Sequence, residues 1–436
     1  MSNFDVGVGG VIVALVLVAL RVPIGIALGS VSLVGIAVMT SPRVAWGMIS
    51  ATPFDFVGQW ELTAAPMFLL MGYICTTTNL TQGLFHAIRL FLWRLPGGLA
   101  VSSVGACAFF AAASGSSVAT SAALSRIAVP EMLKRGYDKG LATGTIAASG
   151  TLGSLIPPSV LLVLYGVYAQ VSVGQLFMAG FIPGIISALI YAAMIMVRVK
   201  VNPSLAGTDD IRPTWSERLA ALKDVWPLPV LIISVLGGIF VGAFSPTEAG
   251  AVGTVVACII AAARGSLTFS ALRDALVKAA VATTGIFIIL IGSVFFTRFL
   301  ALSRVPQEFS DLILSVSAEP LWILFAVAVI YIILGMFIDS IGLLLLTLTL
   351  VLPLVDGAGM DLVWFGIIVI KLLEIGLITP PIGLNVYVIK GALGDAVTLP
   401  QVFKGVSWFL AMDVVTLALI VLLPGLALFL PSLMLR

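Results

Sequence analysis

Long apolar stretches alternate with short polar ones along the whole chain. Residues 6–20, 226–244 and 409–430 carry almost no charge, the last being broken only by Asp413. A helix crossing the hydrocarbon core of a bilayer needs about 20 mostly apolar residues, and the pattern predicts about ten such crossings. Shorter apolar pieces lie between them. The only long polar stretch inside the chain is 200–224, with Asn202-Pro203, Asp209, Asp210, Arg212, Arg218 and Lys223. It reads as a linker between halves of similar length, 1–199 and 225–436.

The two halves match at a single offset of 223 residues, with no gap. Pro23 pairs with Pro246, and Pro130 with Pro353. Gly136 and Asp138 pair with Gly359 and Asp361. Gly153 pairs with Gly376, and Pro157-Pro158 with Pro380-Pro381. A constant offset joining four separated places predicts an internal duplication.

Charge sets the orientation of the copies, because Lys and Arg near short loops mark the cytoplasmic side. Arg89, Arg94, Lys134, Arg135 and Lys139 flank the apolar region 97–133 on both sides. The matching region 320–355 is flanked by Glu308, Asp311, Glu319, Asp356 and Asp361, with Arg304 as the exception. Each region has the length of two half-depth helices and a tip. They are expected to be re-entrant hairpins entering from opposite sides. The fold class is therefore an all-α polytopic membrane protein of two inverted repeats. Each repeat has about five crossings, one re-entrant hairpin and one broken helix, at 139–168 and 361–391. The linker is expected on the cytoplasmic side and both termini outside. The basic segments 89–94 and 264–278 are expected to be helices lying along the cytoplasmic face.

Composition agrees. Of 436 residues, 60% are hydrophobic and 10% charged, where soluble domains carry roughly 25% charged residues. Lipid must replace water as the main solvent. The basic residues are scattered between apolar segments, which argues against a nucleic-acid partner. Cys75, Cys107 and Cys258 lie in apolar stretches and read as packing residues. A single histidine, His86, leaves no metal-enzyme cluster, and nothing points to an organic cofactor. The first apolar segment has no basic leader, which predicts a retained span.

Helix breakers inside apolar sequence are informative, because irregular backbone at membrane depth is tolerated only in protein or against a cavity. Four breaks occur, two in each half: Ser114-Gly115-Ser116-Ser117, residues 150–159 around Pro157-Pro158, Gly335-Met336-Phe337-Ile338-Asp339-Ser340, and residues 376–383 around Pro380-Pro381. Proline removes an amide donor and clashes with the preceding turn. Such breaks concentrate free carbonyls and hydroxyls, the ligands of hard cations. Discontinuous helices in both halves of an inverted repeat point to a transport site. Asp339 and Glu374 lie in apolar surroundings and are candidate functional acids, although Glu374 is one turn from Lys371 and an ion pair between them is the plainer reading. Asp55, Glu61, Arg21 and Glu248 read as charges at segment ends.

These motifs resemble the large membrane subunit of the tripartite ATP-independent periplasmic (TRAP) transporters. The closest stretches are Ser114-Gly-Ser-Ser-Val-Ala-Thr-Ser, the run from Val129 to Gly140, Ser149-Gly-Thr-Leu-Gly-Ser-Leu-Ile-Pro-Pro-Ser, Ser245-Pro-Thr-Glu-Ala-Gly and the run from Glu374 to Asn385. The resemblance covers nearly the whole chain. It implies scaffold and elevator domains, and import driven by a Na⁺ gradient in the bacterial inner membrane. It also implies a periplasmic binding protein that delivers a carboxylate-bearing organic acid, and a small four-helix subunit as a separate chain. Carried over by motif, one Na⁺ site falls on Ser114, Ser117, Gly153, Ile156 and Pro157. A second falls on Gly335, Phe337, Ser340, Gly376, Thr379 and Pro380. Substrate is expected near Ser116, Ser159, Asp339 and Asn385. A stand-alone symporter of the same superfamily is the alternative. An ion channel and an intramembrane enzyme fit less well, since no second aspartate stands out as a partner for Asp339 at depth and no Gly-x-Ser-x-Gly motif occurs.

Overall fold

A computed structural model describes residues 2–80, 82–207, 212–316 and 319–434, and among these every regular element is helical. Asp209, Asp210 and the side chain of Asp55 lie outside the described residues. The first half contains α1 (Asn3–Ala19), α2 (Ile24–Met39), α3 (Pro42–Val57), α4 (Ala64–Thr77), α5 (Gln82–Leu92), α6 (Gly98–Ser114), α7 (Ser117–Lys134), α8 (Lys139–Leu155), α9 (Val160–Ala169) and α10 (Val173–Val201). After it come α11 (Trp215–Val225), α12 (Pro227–Ile232), α13 (Gly238–Phe240), α14 (Pro246–Ala263), α15 (Phe269–Ser303), α16 (Val305–Val316), α17 (Pro320–Gly335) and α18 (Ser340–Gly357). The chain ends with α19 (Leu362–Ile378), α20 (Leu384–Leu393), α21 (Leu399–Leu422) and α22 (Gly425–Leu433).

Helix starts recur at the offset seen in the sequence. Helix α7 begins at Ser117 and α18 at Ser340, while α8 and α19 cover Lys139–Leu155 and Leu362–Ile378. The matched aspartates explain the register. Asp138 caps α8 by accepting from the Leu141 amide at 2.8 Å, and Asp361 caps α19 by accepting from the Trp364 amide at 2.9 Å. A side-chain oxygen at this position satisfies an amide that has no intrahelical partner.

Helices α8 and α19 lie at the centre, with every residue from Gly140 to Leu155 and from Val363 to Ile378 buried. Small residues along α8 let neighbouring helices approach closely, and the only charges buried in α19, Lys371 and Glu374, are paired. Helices α6, α7, α10, α20 and α21 surround α8, and α17, α18 and α21 pack on α19. A second group is built by α2 along α15 and by α4 against α14 and α15.

Seven stretches among the described residues are long and apolar enough to cross a membrane, namely α8 with α9, α10, α11 to α13, α14, α15, α21 and the hairpin arm α18, against the expectation of about ten crossings. Two of the shortfall are α1 and α2, with 17 and 16 residues, about 26 and 24 Å at 1.5 Å per residue. The expected separate helix at 264–278 does not form. Thr268 caps α15 by accepting from the Ala271 amide at 3.1 Å, and the helix then runs unbroken to Ser303. With 35 residues it is about 52 Å long, so one end projects beyond a hydrocarbon core of about 30 Å. The linker is also more ordered than a plain loop. Thr214 and Glu217 form a capping box that starts α11, which packs on α5. The basic end of α5 is tied to the first hairpin, where Arg89 and Arg135 reach Glu131 at 2.9 and 3.0 Å.

Candidate functional site

The first candidate site grows from the turn between α6 and α7. The chain leaves α6 at Ser114, and Ser116 restarts it by accepting from the Ala119 amide. Ser114 Oγ lies 2.9 Å from Thr120 Oγ1. Ser117 Oγ donates to the Thr151 carbonyl at 3.1 Å and lies 2.5 Å from Ser154 Oγ. Tip and broken helix touch through backbone: a Cβ on Gly153 would stand 2.7 Å from the Ser116 carbonyl. The Gly115 carbonyl accepts from the Val160 amide beyond the break. Ile156 and Pro157 lie in that break, between α8 and α9, where the Pro157-Pro158 bond is cis.

The second site repeats the plan with different side chains. Asp339 caps α18 by accepting from the Gly342 amide at 3.0 Å, and Thr379 Oγ1 donates to the Ile375 carbonyl at 2.6 Å. A Cβ on Gly376 would meet Gly335 Cα at 2.8 Å, so this tip also lies directly against its broken helix. Ser340 Oγ is buried and has no hydrogen-bond partner among the described residues. Phe337 is exposed beside the tip, and the Pro380-Pro381 bond is cis.

Between the tips lies a cavity of about 370 Å³. Ser116, Ser117 and Ser154 line it from the first half, Asp339 and Ser340 from the second, and Tyr73 and Gly285 from α4 and α15. Ser159 and Asn385 do not line this cavity. Both are fully buried, Ser159 as the cap of α9 and Asn385 with its amide donating to the Ala147 carbonyl at 3.3 Å.

Glu374 is held in a buried ionic group. Lys371 Nζ stands 3.1 Å from Glu374 Oε2 and 2.6 Å from Asp413 Oδ1, with all three side chains at 0% exposure. The Tyr191 hydroxyl donates to the same Asp413 oxygen, and Ser187 Oγ accepts from Lys371 at 3.3 Å. The group joins α19 to α10 and α21. Spacing alone predicts the Lys371–Glu374 pair, whereas Asp413 reads in the sequence only as an interruption of an apolar run. Its signal was the charge itself, in a helix otherwise apolar near its middle.

The chain matches the description "Tripartite ATP-independent periplasmic transporter, DctM component" over residues 11–426. It belongs to that family. It is 33% identical over 383 residues to the C4-dicarboxylate TRAP transporter large permease protein DctM of Pseudomonas aeruginosa, covering 87% of this chain and 88% of that one. It is 30% identical to the sialic acid TRAP transporter permease protein SiaT of Haemophilus influenzae, across 100% of this chain and 70% of that one. The ectoine TRAP transporter large permease protein TeaC of Halomonas elongata is 32% identical, covering 86% and 87%. Among solved structures, the YdaH transporter of Alcanivorax borkumensis superposes with a TM-score of 0.62 at 12% identity, over 87% of this chain and 89% of that one. MtrF of Neisseria gonorrhoeae gives 0.59 at 14%, over 88% and 85%. These two share the fold. The chain is thus the large permease of a TRAP transporter, a multi-pass membrane protein and a transporter rather than an enzyme. As one component of a tripartite system it works with membrane partners and a periplasmic binding protein.

Proposed function

We propose that this TRAP permease imports a carboxylate-bearing organic acid, coupled to inward Na⁺ movement, by carrying the two hairpins and broken helices as one body past α2, α4, α14 and α15. The observation that carries this reading is the matched pair of tips. Each lies on a broken helix through glycine contact, and both face one cavity. Oxygen-rich breaks suit a hard cation. In the first site Ser117 Oγ, Ser154 Oγ and the Thr151 carbonyl converge, and in the second the Ser340 hydroxyl is buried without a partner.

The helix starts that recur 223 residues apart support a duplicated unit. The opposite charge flanks of the hairpins support inversion of the second copy, with the basic ends cytoplasmic and the chain in the bacterial inner membrane. Relatives named for C4-dicarboxylates and sialic acid support an acid substrate. The small membrane subunit is expected as a separate chain, although the isethionate permease DctMQ of Oleidesulfovibrio alaskensis is longer, this chain spanning 64% of it.

The test is uptake of radiolabelled C4-dicarboxylate or sialic acid into proteoliposomes holding the permease, its small subunit and its binding protein. Uptake should require an inward Na⁺ gradient. Equal uptake with K⁺ or choline in place of Na⁺ overturns the coupling. Uptake by the permease alone, from free substrate, overturns the dependence on a binding protein.

A further inference from the structure

Two cavities lie against the same pair of helices. The site cavity is bounded by Leu69 and Tyr73 of α4 and by Val281, Ala282 and Gly285 of α15. A second cavity, of about 630 Å³, is bounded by Thr76 and Thr77 of α4 and by Arg273, Val277 and Lys278 of α15. Leu69, Tyr73 and Thr76 recur at steps of four and three, as do Val277, Val281 and Gly285 at steps of four. Residues at these spacings share one helix face. One face of α4 and one of α15 therefore line both cavities. The second cavity lies at the charged start of α15, on the side of the first cavity away from the tips. Arg264, at the close of α14 just before that end, pairs with Asp224, and by its charge this end is cytoplasmic.

We infer that the two cavities join into one cleft along the groove where α4 packs on α15, that the transported anion leaves through it, and that Arg273 at its mouth draws it out. Lys278 is paired with Asp274 at 2.7 Å, so those two charges largely offset each other. Arg273 is exposed and has no acidic partner among the described residues. It leaves one net positive charge at the mouth of a channel with apolar walls higher up. Low-dielectric walls focus such a field and raise the local concentration of anions.

This inference takes the anionic substrate from the proposed function, but its test needs neither substrate nor Na⁺. In a chain with Cys75, Cys107 and Cys258 replaced by alanine, Ala282→Cys is introduced deep in the cleft. Inside-out vesicles are treated with anionic sulfonatoethyl or cationic trimethylammonioethyl methanethiosulfonate. Ala282→Cys should label from the cytoplasmic face with the anionic reagent favoured. Arg273→Gln should lower the anionic-to-cationic rate ratio at least about threefold at low salt, with the difference fading as salt rises. Arg273→Lys should retain it. Absence of labelling from that face at both Ala282→Cys and the more exposed Val281→Cys overturns the cleft. A ratio unmoved by Arg273→Gln overturns the role of Arg273. Charge-selective labelling combined with Na⁺-independent uptake leaves the cleft standing and sinks the proposed coupling instead.

Discussion

Ser116 and Asp339 occupy the same place in the two hairpins. Each is the residue that caps the helix after the tip, Ser116 for α7 and Asp339 for α18, and each lines the cavity between the tips. The two positions differ in charge, so the halves are alike in backbone and unlike in chemistry. On the proposed function, the serine side offers a neutral hydroxyl to an anion, while Asp339, expected from sequence beside the substrate, adjoins the Ser340 hydroxyl, unpartnered among the described residues, and offers its carboxylate to a cation.

Replacing Asp339 by asparagine keeps an oxygen for the Gly342 amide and removes the charge. The α18 cap should survive, since Asn and Asp cap comparably, while the Na⁺ concentration for half-maximal uptake should rise about tenfold, a loss of about 1.4 kcal/mol. Ser116→Ala should instead raise the substrate concentration for half-maximal uptake. The two titrations separate the roles, and identical effects from both variants would contradict the division.

Ser117→Ala removes the hydroxyl that meets Thr151 and Ser154. A net loss of about 1 kcal/mol is the usual effect of one hydrogen bond. The expected outcome is a weaker Na⁺ response in proteoliposome uptake with normal membrane expression. An unaltered Na⁺ titration would remove Ser117 from the ion site.

Gly153→Ala and Gly376→Ala test the contact of tip and broken helix. Each new methyl would meet backbone closer than 3 Å, and backbone cannot move aside as a flexible side chain can. Overpacking costs about 1–3 kcal/mol. Both variants should lose most Na⁺-dependent uptake, and their thermal midpoints in detergent should fall. Gly285→Ala, with nothing within 4 Å of the added carbon, is the control for protein stability.

Lys371→Met leaves Glu374 and Asp413 buried without their shared cation. Breaking a buried pair costs about 3–5 kcal/mol. The variant should show a sharply lower thermal midpoint or fail to accumulate. Lys390→Met, which removes a partly exposed contact 3.5 Å from Asp395, should change the midpoint by an amount corresponding to less than about 1 kcal/mol. Equal effects from the two would contradict the importance of burial.

Sequence reading reached the helix breaks because their signals are local. Pro157-Pro158 and Pro380-Pro381 interrupt helices wherever they occur, and Asp138 and Asp361 cap helices through amides three residues on. It misjudged 264–278 because a basic, mildly amphipathic stretch reads alike whether it lies on a surface or opens a long helix. Only the continuity of α15 decides between them.

The sequence by itself determined that the chain is helical and membrane-bound, that four breaks punctuate it, and that these fall in matched pairs. Run length, proline and capping chemistry act within a few residues and need no partner. The tertiary structure decided which residues meet. It placed Ser117 against Ser154 and Thr151, and it brought Asp413 from α21 to Lys371. It also opened one cavity to Ser116 and Asp339 while leaving Ser159 and Asn385 buried behind its lining. Those outcomes depend on how helices far apart in the chain pack face to face, and pairings of that kind leave no mark in the local pattern.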